Sequence, residues 1–262
     1  MTAPLPSDPW IRPAQPRPDA ALRLFCLPYA GGGASIYRTW GEALPDWLEV
    51  CAVQLPGREE RIGEPAFRQV DRLLPVLLDR LRPHLDRPYA LFGHSMGAVI
   101  AYETARALEA EGGGPVHLIV SGQRAPHLPL NRPPSYHLSE PAFQERLRVL
   151  NGTPAPVLQE PELMKMVLPL LRCDFELSET YRRQRAEPLA CPITALGGRD
   201  DGEVDPAGVE AWRETTRGPA EIRMFAGDHF FLHGQRRVLL DTVARCLRGH
   251  APVAAETPGG RS

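Results

Sequence analysis

A serine flanked by glycines, Gly93-His94-Ser95-Met96-Gly97, follows the apolar run Tyr89-Ala90-Leu91-Phe92 and opens onto a helix-forming stretch. This is G-x-S-x-G in a strand–turn–helix setting, where the serine occupies a sharp turn between sheet and helix. Such a turn crowds its own flanks, so positions 93 and 97 have to lack a Cβ. It also lifts the Ser95 hydroxyl off the sheet and aims the Met96 N–H at the place where an oxyanion would form. A serine hydroxyl is a weak nucleophile at neutral pH and needs a base within hydrogen-bond reach, itself held by an acid.

Both partners follow in the order Ser, Asp, His. The apolar segment Ile193–Leu196 runs into Gly197-Gly198-Arg199-Asp200-Asp201-Gly202, a turn that puts a carboxylate at a strand end. The segment Glu221–Phe225 runs into Ala226-Gly227-Asp228-His229-Phe230-Phe231, which puts an imidazole at another. His229 is the base candidate. Asp200 and Asp201 compete for the acid: counting on from Gly198 in a G-x-x-D turn reaches Asp201, and counting from Gly197 reaches Asp200. Asp201 is preferred, with Asp200 a solvated turn residue. Asp228 reads as a turn residue because adjacent side chains diverge. His94, inside the elbow, points away from Ser95 and packs or bonds the elbow in place. Phe230, Phe231 and Leu232 read as core. An oxyanion hole needs a second backbone donor, and the glycine-rich loop Tyr29-Ala30-Gly31-Gly32-Gly33 offers the N–H of Ala30. Each donor is worth about 3 kcal/mol of barrier.

These residues need a scaffold that brings strand ends together. Leu22–Pro28 is an apolar run with little alternation, as in a strand covered on both faces, and Val50–Leu55, the run before the elbow, His117–Ser121, Ile193–Leu196 and Glu221–Phe225 read as further short strands. Helical stretches separate them at Ser35–Leu44, Phe67–Leu85 with Pro75 as a kink or late start, the elbow helix to Glu111, Pro206–Thr215 and Gln235–Arg248. Alternation of this kind predicts an α/β fold with a mostly parallel central sheet and helices on both faces. Between Pro126 and Pro188 the strands stop, and helical stretches appear near Glu140–Leu150, Pro161–Cys173 and Phe175–Arg185. This block, about residues 127–187, reads as a helical lid over the strand ends. Residues 1–20, rich in proline, read as a disordered arm, 21–248 as one domain, and 249–262 as a disordered tail.

Composition narrows the classes. The chain has 262 residues, 43% hydrophobic and 24% charged, with a formal net charge of −2. That balance argues against nucleic acid and against an anionic membrane surface. No apolar run reaches the length of a membrane span, and the start lacks a signal-peptide core. Cys26, Cys51, Cys173, Cys191 and Cys246 are odd in number and scattered, as in a reducing, cytoplasmic setting. Neither H-E-x-x-H nor clustered Cys and His is present, so no metal is expected. GGGASI lacks the last glycine of the dinucleotide fingerprint. A monomer without cofactor is expected.

LFCLPYAGGGASIYRTW (24–40), VCAVQLPGREER (50–61), FGHSMGA (92–98), ALGGRDDGEV (195–204) and MFAGDHFFL (224–232) together resemble the stand-alone type II thioesterases of polyketide and nonribosomal peptide biosynthesis. The resemblance implies an α/β-hydrolase fold with an inserted helical lid. It implies hydrolysis of acyl groups from the phosphopantetheine arm of acyl or peptidyl carrier proteins, as an editing step for stalled or misprimed synthases. The family nucleophile falls on Ser95, its acid on Asp201, its base on His229, and its oxyanion amides on Ala30 and Met96. Arg182, Arg183 and Arg185 are candidate contacts for an acidic carrier, although such runs are more often a solvated helix face. A general carboxylesterase or lipase, and an acyltransferase or cyclising thioesterase of the same fold, share the same triad.

Overall fold

In the central strands every residue is buried, and side-chain alternation decides which face each one serves. The structure, a computed structural model, describes residues 8–153, 155–183 and 187–251. In β2 (Leu22–Leu27) Leu22, Leu24 and Cys26 enter one core while Phe25 and Leu27 enter the other. β3 (Leu48–Val53) and β4 (Tyr89–His94) divide their side chains in the same way. With β5 (His117–Ser121), β6 (Ile193–Gly198), β7 (Ala220–Phe225) and a short β1 (Ile11–Pro13) they form a seven-stranded sheet. The order is β1-β3-β2-β4-β5-β6-β7, parallel except for β1.

Helices cover both faces. α1 (Trp40–Ala43) follows a 3-10 turn at Ala34–Tyr37, so the expected helix over Ser35–Leu44 is two short pieces. α2 (Val70–Leu81) buries Val70, Leu73, Leu77, Leu78 and Leu81. Pro75 lies inside it on the exposed side, where a carbonyl without its donor can turn to water. α3 (Met96–Ala110) is the elbow helix and sits with α2 in one core. The block between β5 and β6 contains α4 (Glu140–Leu150), α5 (Ala155–Gln159) and α6 (Pro161–Thr180). α6 is one continuous helix through Pro169, where two were expected. The helix expected to reach Arg185 ends at Thr180, and Arg185 lies outside the described residues. Phe143, Leu147, Met164, Leu168, Leu171 and Phe175 give the block a small core of its own, against which Ala30 packs. α7 (Pro206–Glu210), capped by the Asp205 carboxylate, passes into a 3-10 turn at Ala211–Thr215. α8 (Phe231–Gly234) and α9 (Arg236–Leu247) complete the second core.

The expected disordered arm over residues 1–20 needs correction. β1 pairs antiparallel with β3, Ile11 opposite Val53, and Trp10 and Ile11 are buried. The Gln54 N–H donates to the Trp10 carbonyl at 2.8 Å, and the Arg61 guanidinium stacks 4.4 Å over the indole. Proline is compatible with an edge strand because its missing N–H faces away from the ladder. Proline count therefore hid a two-residue apolar anchor. Residues 1–7, and those from 252 onward in the tail, lie outside the described residues. At the tail's start, Arg248–His250 form a 3-10 turn.

Strand order also locates the site. From β2 the chain crosses to β3 on one side, and from β4 to β5 on the other. The loops after β2 and β4 diverge, leaving a crevice at the carboxyl ends of the strands. The loops after β6 and β7 open on the same edge because those strands are parallel to β4.

Candidate active site

The turn between β4 and α3 holds Ser95 at φ 53°, ψ −119°, a region unfavourable for a residue with a side chain. Its N–H donates to the Ser121 carbonyl on β5 at 2.8 Å, which ties the elbow to the neighbouring strand. A Cβ on Gly93 would lie 2.1 Å from the Gly97 carbonyl oxygen, and one on Gly97 would lie 2.2 Å from that of Leu27. Glycine at both positions lets α3 start directly against the end of β2.

The turns after β6 and β7 converge on this serine. His229 Nδ1 lies 2.9 Å from Asp201 Oδ2 and His229 Nε2 lies 3.0 Å from Ser95 Oγ. A carboxylate only accepts, so Nδ1 carries the proton and Nε2 is left to accept from the hydroxyl. The Asp201 side chain is fully buried, at 0% exposure. Its Oδ1 accepts from the N–H groups of Glu203 at 2.7 Å and Val204 at 3.2 Å. One oxygen thus fixes the carboxylate and the other fixes the imidazole.

The competing carboxylates lie elsewhere. Asp200 is exposed, and its N–H donates to the Gly227 carbonyl at 3.0 Å while its Oδ2 accepts from the Gly227 N–H at 3.3 Å. It clips the turn that carries Asp201 to the turn that carries His229. Asp228 Oδ1 accepts from the Phe230 N–H at 2.9 Å, and its Oδ2 accepts from Asn151 Nδ2 at 3.2 Å. His94 is fully buried with Nδ1 2.9 Å from Ser121 Oγ, and its ring lies 5.2 Å from that of His229. Burial, followed by the nearby His229 and His233, pushes its pKa well below the usual imidazole range, so His94 remains a neutral packing group.

A cavity of about 100 Å³ opens beside the serine, lined by Ala30, Met96, Val99, Leu128, Trp212 and His229 among others. Among the described residues neither the Ala30 nor the Met96 N–H has a protein acceptor. Both residues line the same cavity as Ser95. Phe230 lines the cavity, while Phe231 and Leu232 are buried in the core below. Trp212, from the turn after α7, and the lining residues after β5 were missed by sequence reasoning. The only signal of the latter is position after a strand end. Among the described residues no group of three or more His, Cys, Asp or Glu is placed to hold a metal ion. Nor is any described helix long and apolar enough to cross a membrane.

A thioesterase-domain family model matches residues 22–248. The chain belongs to the thioesterase family. It is a hydrolase acting on thioesters, and its similarity to characterised members runs nearly end to end. It is 41% identical over 240 residues to the gramicidin S biosynthesis protein GrsT of Aneurinibacillus migulanus, covering 91% of this chain and 94% of that protein. The structure of BorB, the type II thioesterase from the borrelidin biosynthetic cluster, superposes with a TM-score of 0.83 at 39% identity, covering 92% of this chain and 97% of that one. YbtT, a type II thioesterase from the yersiniabactin NRPS/PKS pathway, superposes with a TM-score of 0.84 at 33% identity, covering 92% and 99%. This thioesterase therefore has the α/β-hydrolase fold of its relatives, which are type II thioesterases of nonribosomal peptide and polyketide pathways.

Proposed function

We propose that this thioesterase removes acyl groups from the phosphopantetheine arm of acyl or peptidyl carrier proteins, clearing stalled or misprimed synthases through an acyl-enzyme on Ser95. The observation that carries the reading is the Ser95–His229–Asp201 relay, with separations of 3.0 Å and 2.9 Å, in a chain of the thioesterase family. Ser95 Oγ attacks the thioester carbonyl and its proton passes to His229 Nε2, while Asp201 steadies the imidazolium. The tetrahedral oxyanion takes hydrogen bonds from the Ala30 and Met96 N–H groups. Collapse expels the pantetheine sulfur, which takes the proton back from His229 and leaves as the thiol, so the imidazole is neutral again. A thiolate is a better leaving group than an amine, so this protonation matters less than in amide cleavage. Water, deprotonated by His229, then attacks the acyl-serine, and a second collapse releases the carboxylic acid and restores the serine. Each step is served by groups of the chain itself.

The α4–α6 block acts as a lid in this reading. Phe175 and Tyr181, with Glu179 between them, contribute to the cavity wall, so the block forms one side of the acyl site. A thin pantetheine arm suits a narrow entrance between it and the strand ends. The test compares hydrolysis of one acyl group presented on a carrier protein, on coenzyme A and as a simple ester. The expected order of kcat/KM is carrier protein first and ester last. A preference for the ester would contradict the proposal.

A further inference from the structure

The charged loop after β3 and the middle of α6 meet in a buried ion pair beneath the oxyanion loop. Arg58 Nη2 donates to Asp174 Oδ1 at 2.9 Å and Nη1 donates to Asp174 Oδ2 at 2.9 Å, a two-pronged contact. Their side chains are only 4% and 2% exposed. Neither group is occupied by the other alone. Asp174 Oδ2 also accepts the Gly31 N–H at 2.7 Å, and Arg58 Nη1 also donates to the Gly32 carbonyl at 3.0 Å. Gly31, at φ +77°, lies so close to α6 that a Cβ there would sit 2.6 Å from Leu171 Cδ2. The pair therefore grips the Gly31 N–H and the Gly32 carbonyl, on either side of the Gly31–Gly32 peptide, immediately after Ala30. A further brace comes from Gln54, whose Oε1 accepts the Ala34 N–H at 2.6 Å and whose Nε2 donates to the Arg58 carbonyl at 3.0 Å.

We propose that Arg58 and Asp174 are positioning residues for the oxyanion hole, so that the hole is correctly formed only when α6 is seated on the Tyr29–Gly33 loop. The inference rests on the reading of Ala30 as an oxyanion donor. A glycine-rich loop has many backbone conformations of similar energy, and a donor must be held near its final direction before the reaction to stabilise the transition state. Two charges buried together cost desolvation energy, and pairing alone makes them at best a weak source of stability. What this pair adds is direction for the peptides at Gly31 and Gly32. Because Asp174 belongs to the lid and Arg58 to the sheet edge, the oxyanion loop is clamped between the two.

The test uses Asp174→Asn and the double variant Arg58→Met with Asp174→Leu, which removes both charges while keeping volume in the interior. A short acyl N-acetylcysteamine thioester serves as substrate. An alkyl boronic acid, which forms a tetrahedral adduct on the serine, reads the oxyanion hole directly. Asp174→Asn is expected to lower kcat by about 10- to 100-fold with little change in KM, and to weaken boronate binding by the same factor. The double variant is expected to melt cooperatively, as stably as the unmutated chain, yet to keep the low kcat and the weak boronate binding. Activity and boronate affinity that recover along with stability, or that never fall in Asp174→Asn, would overturn the positioning role while leaving the thioesterase reading intact. Full turnover in Ser95→Ala would instead overturn the reading itself.

Discussion

The carboxylate at 201 and the one at 200 differ in what their oxygens touch, and so in what their loss does. Asp201→Asn puts an amide N–H against His229 Nδ1, which favours the tautomer that cannot accept from Ser95. It is expected to lower kcat by about 10⁴-fold. Asp200→Asn, at an exposed clip, is expected to change kcat by no more than about twofold. Steady-state kinetics on one thioester checks both. Another residue-scale prediction concerns His117 on β5, whose Nε2 lies 2.9 Å from Thr194 Oγ1. Burial pushes its pKa from 6.5 down to about 4, with His250 adding to the shift and Glu221 opposing it. The unfolded chain therefore binds a proton that the folded chain does not, and stability present at neutral pH is lost as pH falls from 6.5 towards 4. Urea denaturation at pH near 7.5 and near 5 is expected to show a loss on the order of 2 kcal/mol more in the unmutated chain than in His117→Gln. An equal loss in both would contradict it. At this scale Ser95 and His229 were legible because strand, turn and residue type coincide in a few consecutive positions. Asp201 and Asp200 were not separable by spacing, since the turn's backbone decides which side chain faces inward. Arg58 and Asp174 were illegible as a pair, lying far apart in sequence with no local signature.

The element on which most of the site leans is the α4–α6 block. It reaches the Tyr29–Gly33 loop through Asp174 and the His229 turn through Asn151, whose amide meets Asp228 at 3.2 Å. A Cβ on Gly152 would sit 2.1 Å from Phe230, so the turn after α4 lies directly on the residue following His229. Its own core is small and centres on Phe143, fully buried, edge-on to Phe175 at 5.2 Å and 4.6 Å beneath the Arg172 guanidinium. Phe143→Ala is expected to cost about 3 kcal/mol, and the loss falls on the block alone. Hydrogen exchange followed by mass spectrometry is then expected to speed up in α4–α6 while β2–β5 keep their protection. Faster exchange spread evenly over the sheet would show that the block does not open separately. The helical nature of this segment was legible from its apolar spacing. The continuity of α6 was not, because the break in pattern near Asp174 looks like a helix boundary. In the fold, Asp174 is instead a polar residue turned inward to meet Arg58.

Across the whole molecule, the sheet and its two cores follow from a pattern visible along the chain, since buried parallel strands leave continuous apolar runs. β1 was hidden for the converse reason: a three-residue edge strand among prolines leaves no such run. Trp10 nonetheless covers the rim of a core and supports Arg61, whose Nη1 donates to the Gln54 carbonyl at 2.7 Å. Trp10→Ala is expected to lower stability by about 3 kcal/mol, seen as a shifted midpoint in urea denaturation with an unchanged slope. An unshifted midpoint would show that the arm adds nothing to the fold. Strand ends, loops and lid are all proposed to act on one serine, and rapid-quench mass spectrometry during turnover of an acylated carrier protein reads that serine itself. The expected result is a burst of free pantetheine thiol and an adduct of one acyl mass on the peptide containing Ser95, both absent in Ser95→Ala. Turnover without any adduct, undiminished in Ser95→Ala, would contradict it.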